Sequence, residues 1–306
     1  MKAHGKSNIL GYDQAFTCCP LCQDSGYQTY AGFPEFIWVR CSCQLIYKKF
    51  VREATAEPRV GGEGSFGETG YGRRYDRRHG HRVSKSVRQL EDACSFLTGE
   101  AAAAPRTVLD VGCSRGYTLE AAGQMGMVPT GVDVSQVAVD SCRSLGFPAD
   151  VAGLEKLPYA EGQFSVVVMK HVLEHTRDPE GALREARRVL KPGGVLFVAV
   201  PDAAYRNAES SPSKSRFYRP DAHGGVEHWV YYTPGTLARM LGKAGLGVVR
   251  VHPLLVHRGA SSVWRVVEWL AYPLRRALQA GAQLLRLRKE FWMIATRPPG
   301  PGGVAR

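Results

Sequence analysis

No apolar run in this sequence reaches the ~18 residues that would span a bilayer, so a helical membrane span is not expected. None of signal-peptide length stands near the start, where Met1 to Gln14 is mostly polar. Together these two lacks set the expectation of a cytoplasmic protein, whose thiols stay reduced and form no disulfides. Internal repeats are missing, which sets aside solenoids and propellers. Acidic residues are in short supply: 28 Asp and Glu face 40 Lys and Arg, for a formal net charge of +12. That excess is local. Arg73 to Arg88 holds seven Lys/Arg against one Asp, Trp264 to Arg306 holds eight against two Glu, and the remainder is neutral. Two such basic segments hold phosphate, nucleic acid or an anionic membrane face, or are simply solvated surface.

What is present suits a globular protein. At 306 residues, 44% hydrophobic and 22% charged, the chain can bury one full core and carry a smaller module beside it. Five of the eight cysteines, Cys18, Cys19, Cys22, Cys41 and Cys43, fall within the first fifty residues. A Gly-rich loop follows from Val60 to Gly67, then the basic stretch, which runs into a predicted helix ending near Gly99. From Arg106 the pattern alternates. Strands are expected at Thr107–Val111, Val128–Val132, Phe164–Met169, Val195–Val200, Gly247–Val251 and Phe291–Thr296. A further short strand is expected just before Asp150. Helices are expected at Tyr117–Gln124, Ser135–Leu145, Pro179–Leu190 and Thr233–Ala244, with Lys191-Pro-Gly-Gly194 as a stop. Such alternation implies an α/β doubly wound, Rossmann-like fold with helices on both faces of a parallel sheet. The expected division is a Cys-rich module over 1–60, a basic linker and helix over 61–105, a core over 106–256, an amphipathic helical insertion over 257–289, and a last strand with a disordered tail over 290–306. The insertion carries Trp264, Val267, Leu270, Leu274, Leu278 and Leu285 among several arginines. Its apolar stripe faces the core, a second subunit or a membrane surface.

Ligands of open α/β sheets bind outside the carboxyl ends of the strands, where strand order reverses. The first core strand ends at Asp110, and Gly112 and Gly116 allow a tight turn with close approach of backbone to ligand. The helix behind them points its free N–H groups at the site, which suits the carboxylate of an amino-acid-like cofactor. Asp133, at the end of the second strand, is placed to accept hydrogen bonds from a ribose diol, and Asp150, past the third strand, to meet an adenine. Four segments come in order: Asp110-Val-Gly-Cys-Ser-Arg-Gly116, Gly131-Val-Asp-Val-Ser135, His171-Val-Leu-Glu-His-Thr-Arg-Asp-Pro179 and Leu190-Lys-Pro-Gly-Gly-Val-Leu196. They resemble the ordered motifs of class I S-adenosylmethionine (SAM)-dependent methyltransferases over about Thr107 to Pro201. The resemblance implies a seven-stranded sheet whose last strand is antiparallel. It implies that Asp110, Gly112, Cys113 and Gly116 hold the methionine end of SAM, that Asp133 binds the ribose with Val134 beside the adenine, that Asp150 is near the adenine amine, and that Lys170 and His171 line the mouth facing the sulfonium. Ser114 replaces the family's frequent middle glycine, a change that a small residue tolerates. Ser165 replaces a frequent Asp, at a position expected to precede the strand interior.

Cys19-Pro-Leu-Cys22 and Cys41-Ser-Cys43 are two close pairs. Zinc takes four ligands in a tetrahedron, and two cysteine-bearing turns supply them. The second pair is one residue short of the usual gap. This region resembles the zinc-ribbon cap of some bacterial methyltransferases acting on sugars and related small molecules, where a glycine follows the second pair; here Gln44 stands in that place. The expected metal ligands are Cys19, Cys22, Cys41 and Cys43, with Cys18 as a substitute; the alternative is reduced, non-ligand thiols. Cys94, Cys113 and Cys142 read as small core residues.

An oxygen acceptor needs a base, and the candidates are His171, His175 and His228; for each the plainer alternative is a structural histidine. Tyr71 and Tyr75 are candidates for a lid. The leading expectation is methyl transfer to a small-molecule or lipid-linked acceptor, such as a sugar or secondary metabolite, at O or C rather than N. In the lipid-linked case residues 264–289 rest on the inner face of the membrane. An RNA methyltransferase with a zinc module is the second reading, with nucleic acid disfavoured because no Asp/Asn-Pro-Pro-Tyr motif follows the fourth strand. The third is a non-catalytic SAM-binding scaffold. The sequence carries no signature of an oligomeric state.

Overall fold

In the computed structural model of the chain, the residues described are 16–32, 36–50, 78–203, 228–253 and 290–299. The Gly-rich loop, Tyr71, Tyr75, the insertion at 257–289 and the tail beyond 299 lie outside them. No helix among the described residues is long and apolar enough to cross a membrane.

Three strands come first: β1 (Tyr27–Gly32), β2 (Phe36–Cys41) and β3 (Ile46–Phe50). They pair antiparallel in sequence order. Helix α1 (His79–Cys94) stops five residues before Gly99 rather than at it, and a 3-10 turn occupies Gly99–Ala102. The alternating part follows as β4 (Thr107–Val111), α2 (Tyr117–Gln124), β5 (Val128–Asp133), α3 (Gln136–Ser144), β6 (Ala149–Val151) and β7 (Phe164–Lys170). It continues through α4 (Pro179–Val189), β8 (Leu190–Pro201), the short β9 (Val230–Tyr231), α5 (Pro234–Lys243), β10 (Gly247–Pro253) and β11 (Glu290–Thr296).

The large sheet has seven strands in the order β10-β11-β8-β7-β4-β5-β6. β4 runs parallel to β5 and β7, and β11 runs antiparallel to both β8 and β10. The expected doubly wound sheet with an antiparallel last strand is therefore present. Strand order reverses between β4 and β7, which opens a crevice at their carboxyl ends. β7 is buried along nearly its whole length, as a central parallel strand covered on both faces must be.

Local chemistry fixes the helix starts. Ser135 accepts the Ala138 N–H ahead of α3, Asp178 accepts the Gly181 N–H ahead of α4, and Thr233 with Thr236 forms a reciprocal cap ahead of α5. The Lys191-Pro-Gly-Gly194 stop acts as expected on the helix, which ends at Val189, but the four residues fall within the span of β8, which begins at Leu190. Gly193 there takes φ 76° with its carbonyl accepting the Thr98 N–H, and the four residues stand as a bulge between the pairs Phe164–Leu190 and Val166–Val195.

The cysteine module is not a free appendage. β3 pairs with β9, matching Ile46 to Tyr231 and Tyr47 to Val230. Cys19, Leu21, Val39, Leu45 and Tyr47 share one continuous apolar core with the sheet face under α4 and α5. Lys243 Nζ donates to the Leu21 carbonyl and Arg239 to that of Cys43, tying α5 to the same module.

Candidate functional site

The crevice at the switch point is built by the loop after β4. Register places Asp110 beside Gly131 of β5 and Val168 of β7, so the carboxyl ends of the three strands are level. Gly112 adopts φ 75°, and a Cβ there would stand 2.2 Å from Val172 Cγ1. Only glycine lets this loop lie against the segment that follows β7. Gly116 is also left-handed, and α2 starts immediately behind it. Ser114 takes φ 49°, the conformation a glycine adopts freely. Its N–H donates to Asp133 Oδ2 at 3.0 Å, while the Ser135 N–H donates to Asp133 Oδ1 at 3.0 Å. Asp133 thus clasps two loops at the end of β5. Val134 beside it is half-exposed, an apolar face open at the crevice.

Asp110 is buried. Burial lifts its carboxyl to about 6, against the pull of Lys170 and a hydrogen bond from Thr118. Lys170 is itself depressed by burial, with Asp110 opposing that effect, and its Nζ donates to Ser86 of α1 at 3.0 Å. Of the expected cofactor residues, Cys113 is the small core residue its type suggests, and Asp150 sits differently from expectation. Cys113 is buried, its Sγ 3.6 Å from Cys142 Sγ, so its side chain faces α3 and only its backbone belongs to the loop. Asp150 lies inside β6, not past it, with the Tyr159 hydroxyl 3.1 Å away. Ser165 likewise lies inside β7, fully buried, and exchanges hydrogen bonds with Thr107 of β4.

The three candidate histidines gather around one residue that sequence reasoning did not single out. Glu174, in a 3-10 turn over Leu173–His175, has no accessible surface. His171 Nδ1 lies 3.5 Å from Glu174 Oε1, and its Nε2 lies 2.5 Å from Glu290 Oε2 of β11. The protein around its ring works against a charge on His171, although the side chain keeps 44% of its surface exposed, and the Glu174 and Glu290 carboxylates raise its pKa to about 10. His175 and His228 stack edge to face with ring centroids 4.6 Å apart. The Trp229 N–H donates to the Glu174 carbonyl at 2.7 Å, which brings the segment before β9 across the end of β7. The signal for Glu174 was its spacing: it is three residues from His171 and next to His175. Glu290 carried no such signal, because it comes from the far end of the chain.

The second cluster is that of Cys19, Cys22, Cys41 and Cys43, whose sulfurs all lie within 4.8 Å of one another. Cys19 and Cys43 are 3.6 Å apart, Cys22 and Cys41 3.3 Å. A tetrahedron with zinc–sulfur bonds of ~2.3 Å has edges of ~3.8 Å, so the donor set fits that ion. Cys18 turns away and donates to Gln23. Gln23 and Gln44, the residues after the two pairs, both adopt left-handed backbone, φ 62° and 73°. Gln44 therefore takes a conformation that glycine adopts freely, and the short second pair still converges with the first.

Comparison with known proteins decides the family. The profile of a family described as a methyltransferase domain matches residues 78–251, more than half of the chain. The chain belongs to that family. The ubiquinone biosynthesis O-methyltransferase of Pseudomonas paraeruginosa is 35% identical over 112 residues, which are 34% of this chain and 48% of that protein. That of Chromobacterium violaceum is 32% identical over 163 residues, 50% of this chain and 69% of that protein. A solved SAM-dependent methyltransferase from Archaeoglobus fulgidus superposes with a TM-score of 0.49 at 18% identity, covering 74% of this chain and all of that one. The chain spans about half the length of several of these curated relatives, 48% in each case. The glycine-rich loop packs against Val172 of the segment after β7, and Asp133 accepts the Ser114 N–H of the same loop.

Proposed function

We propose that this methyltransferase moves a methyl group from SAM to a hydroxyl oxygen of a small-molecule acceptor. The observation that carries the reading is an imidazole–carboxylate cluster, His228 with Glu174 and His175 of the turn that follows Val172, the residue packed against Gly112. An oxygen acceptor needs help in losing its proton, whereas the methyl donor arrives activated. The relatives named as O-methyltransferases support the same class.

Bound SAM supplies a sulfonium-activated methyl. Asp110, Gly112, Gly116 and the Cys113 backbone hold its amino-acid end, Asp133 its ribose, Val134 its adenine face, and Asp150 lies on the adenine side. Lys170 and His171 line the mouth. His171, gripped by two carboxylates, serves as a fixed cation, and the acceptor oxygen is activated at His175 and His228. Zinc on Cys19, Cys22, Cys41 and Cys43 would cross-link the N-terminal module. The division proposed is a cysteine module clamped through β3 and β9 onto one methyltransferase core that reaches from α1 to β11.

Calorimetric titration with SAM and transfer of labelled methyl to hydroxyl acceptors test this. Asp133→Ala is expected to weaken SAM binding at least tenfold, as loss of a carboxylate serving two hydrogen bonds does. Unchanged affinity would sink the cofactor site. Label appearing only in nitrogen-linked products would sink the acceptor class.

A further inference from the structure

Glu174 presents a buried carboxylate in an unusual state. Neither oxygen accepts a hydrogen bond from any described residue, and His171 approaches Oε1 only to 3.5 Å while its other nitrogen is committed to Glu290. His171 supplies one cation on the Oε1 side, and a second positive partner at this fully buried carboxylate would stabilise it further. One nitrogen each from His175 and His228 and one oxygen of Glu174 all lie within 4.8 Å of one another. Bonds of ~2.0–2.2 Å to a shared ion close that span with small side-chain rotations.

The supports of these three side chains are those of a built site. Glu174 and His175 are adjacent on a 3-10 turn. His228 is held from both sides: the next residue, Trp229, donates to the Glu174 carbonyl and accepts from the Lys48 N–H at 3.0 Å. The Tyr231 hydroxyl lies 3.2 Å from His228 Nδ1, the kind of outer contact that fixes the tautomer of a ligating imidazole.

We propose that Glu174, His175 and His228 form a binding site for one divalent transition-metal ion, separate from the four-cysteine cluster. Two imidazoles and one carboxylate suit the Mn2+-to-Zn2+ series and leave further positions open, whereas the thiolates of the other cluster select zinc. The ion's role rests on the oxygen-acceptor reading: those open positions would hold the acceptor hydroxyl beside the cofactor crevice. Binding of the ion does not depend on that reading.

The full-length protein, stripped of metal and given back one equivalent of Zn2+ for the cysteines, is titrated with Mn2+ and followed by electron paramagnetic resonance. One Mn2+ per chain is expected to leave the free-ion signal. Glu174→Gln and His228→Gln are each expected to weaken that binding at least tenfold, while the surface variant His79→Gln leaves it unchanged. SAM titration of each variant reports folding, so if Glu174→Gln misfolds, His228→Gln decides between the two outcomes. No bound Mn2+, or equal affinity in variants that still bind SAM, overturns the metal site. Failure of the wild-type protein to bind SAM would instead overturn the methyltransferase reading and leave the metal result standing.

Discussion

Asp110 puts a measurable cost on the cofactor loop. Its carboxyl is buried at the end of β4, and burial lifts it from 3.8 to about 6 despite Lys170 and Thr118. A carboxyl raised in the folded state binds its proton more tightly there than in the unfolded chain. Between those two values the folded state holds the extra proton, so stability falls as pH rises through the window, and the full penalty stands above it. The penalty is about 2 kcal/mol at pH 5 and about 3 kcal/mol at pH 7.5. Asp110→Asn keeps the shape and can still accept from Thr118, but carries no charge to desolvate. Lys170 then loses its anionic neighbour, which returns part of the gain. The variant without SAM is therefore expected to be more stable than wild type at pH 7.5 by about 1–3 kcal/mol, with a smaller advantage at pH 5. SAM affinity is expected to fall in the same variant. Urea denaturation at the two pH values reads the stabilities, and calorimetry the affinity. A variant less stable than wild type at pH 7.5, or an advantage that does not grow with pH, would refute the burial account of Asp110.

Ser114→Gly removes a β-carbon from a residue at φ 49°; a gain of about 0.5–1 kcal/mol is expected after the extra freedom of the unfolded chain is counted, read as a rise in melting temperature. Gly112→Ala is expected to cost at least ~2 kcal/mol and abolish tight SAM binding, because the new methyl meets Val172 at 2.2 Å in a left-handed backbone. Adding Val172→Ala should restore part of the stability by removing the clash but not the strain; no recovery would show that strain alone decides. Cys43→Ser is expected to release bound zinc and lower the melting temperature, and zinc stoichiometry of the purified variant checks it. Retention of one tightly held zinc would move the ligand role to Cys18.

The sheet was legible because its signals are local and agree with one another. Phe164 to Met169 reads as a buried strand from its apolar run alone, and Thr233-Pro234 announces a helix start that Thr236 completes. The loop at Asp110–Gly116 and its partner Asp133 were legible because their spacing follows from strand length. Three things were not. Lys191 to Gly194 keeps its turn chemistry as a bulge inside β8, because Leu190 before it is already paired with Phe164 and Val195 after it with Val166. Cys113 reads as a small core residue, but its meeting with Cys142 of α3 does not follow from any sequence period. Glu174, Glu290 and His228 converge from separate stretches, and pairing of that kind is set by strand order and not by any sequence period.

β9 shows why the cysteine pairs and the acceptor side belong to one physical unit. Two residues of strand would be too short to persist alone. They are held because Tyr47 and Ile46 of the cysteine module pair with Val230 and Tyr231 on one side, while the Trp229 N–H reaches the Glu174 carbonyl on the other. Lys48, fully buried, lies between the rings of Trp38 and Trp229 at 5.3 and 5.6 Å, and Arg177 covers Trp229 at 4.3 Å. Each contact is modest, of the order of 1–2 kcal/mol, but all act on the three residues that carry His228 to Glu174. Order in the cysteine pairs is thereby coupled to the position of an imidazole far away in sequence. Loosening the sulfur cluster should therefore degrade the acceptor side before the SAM loop, whose hydrogen bonds run through Asp133, Ser114 and Ser135.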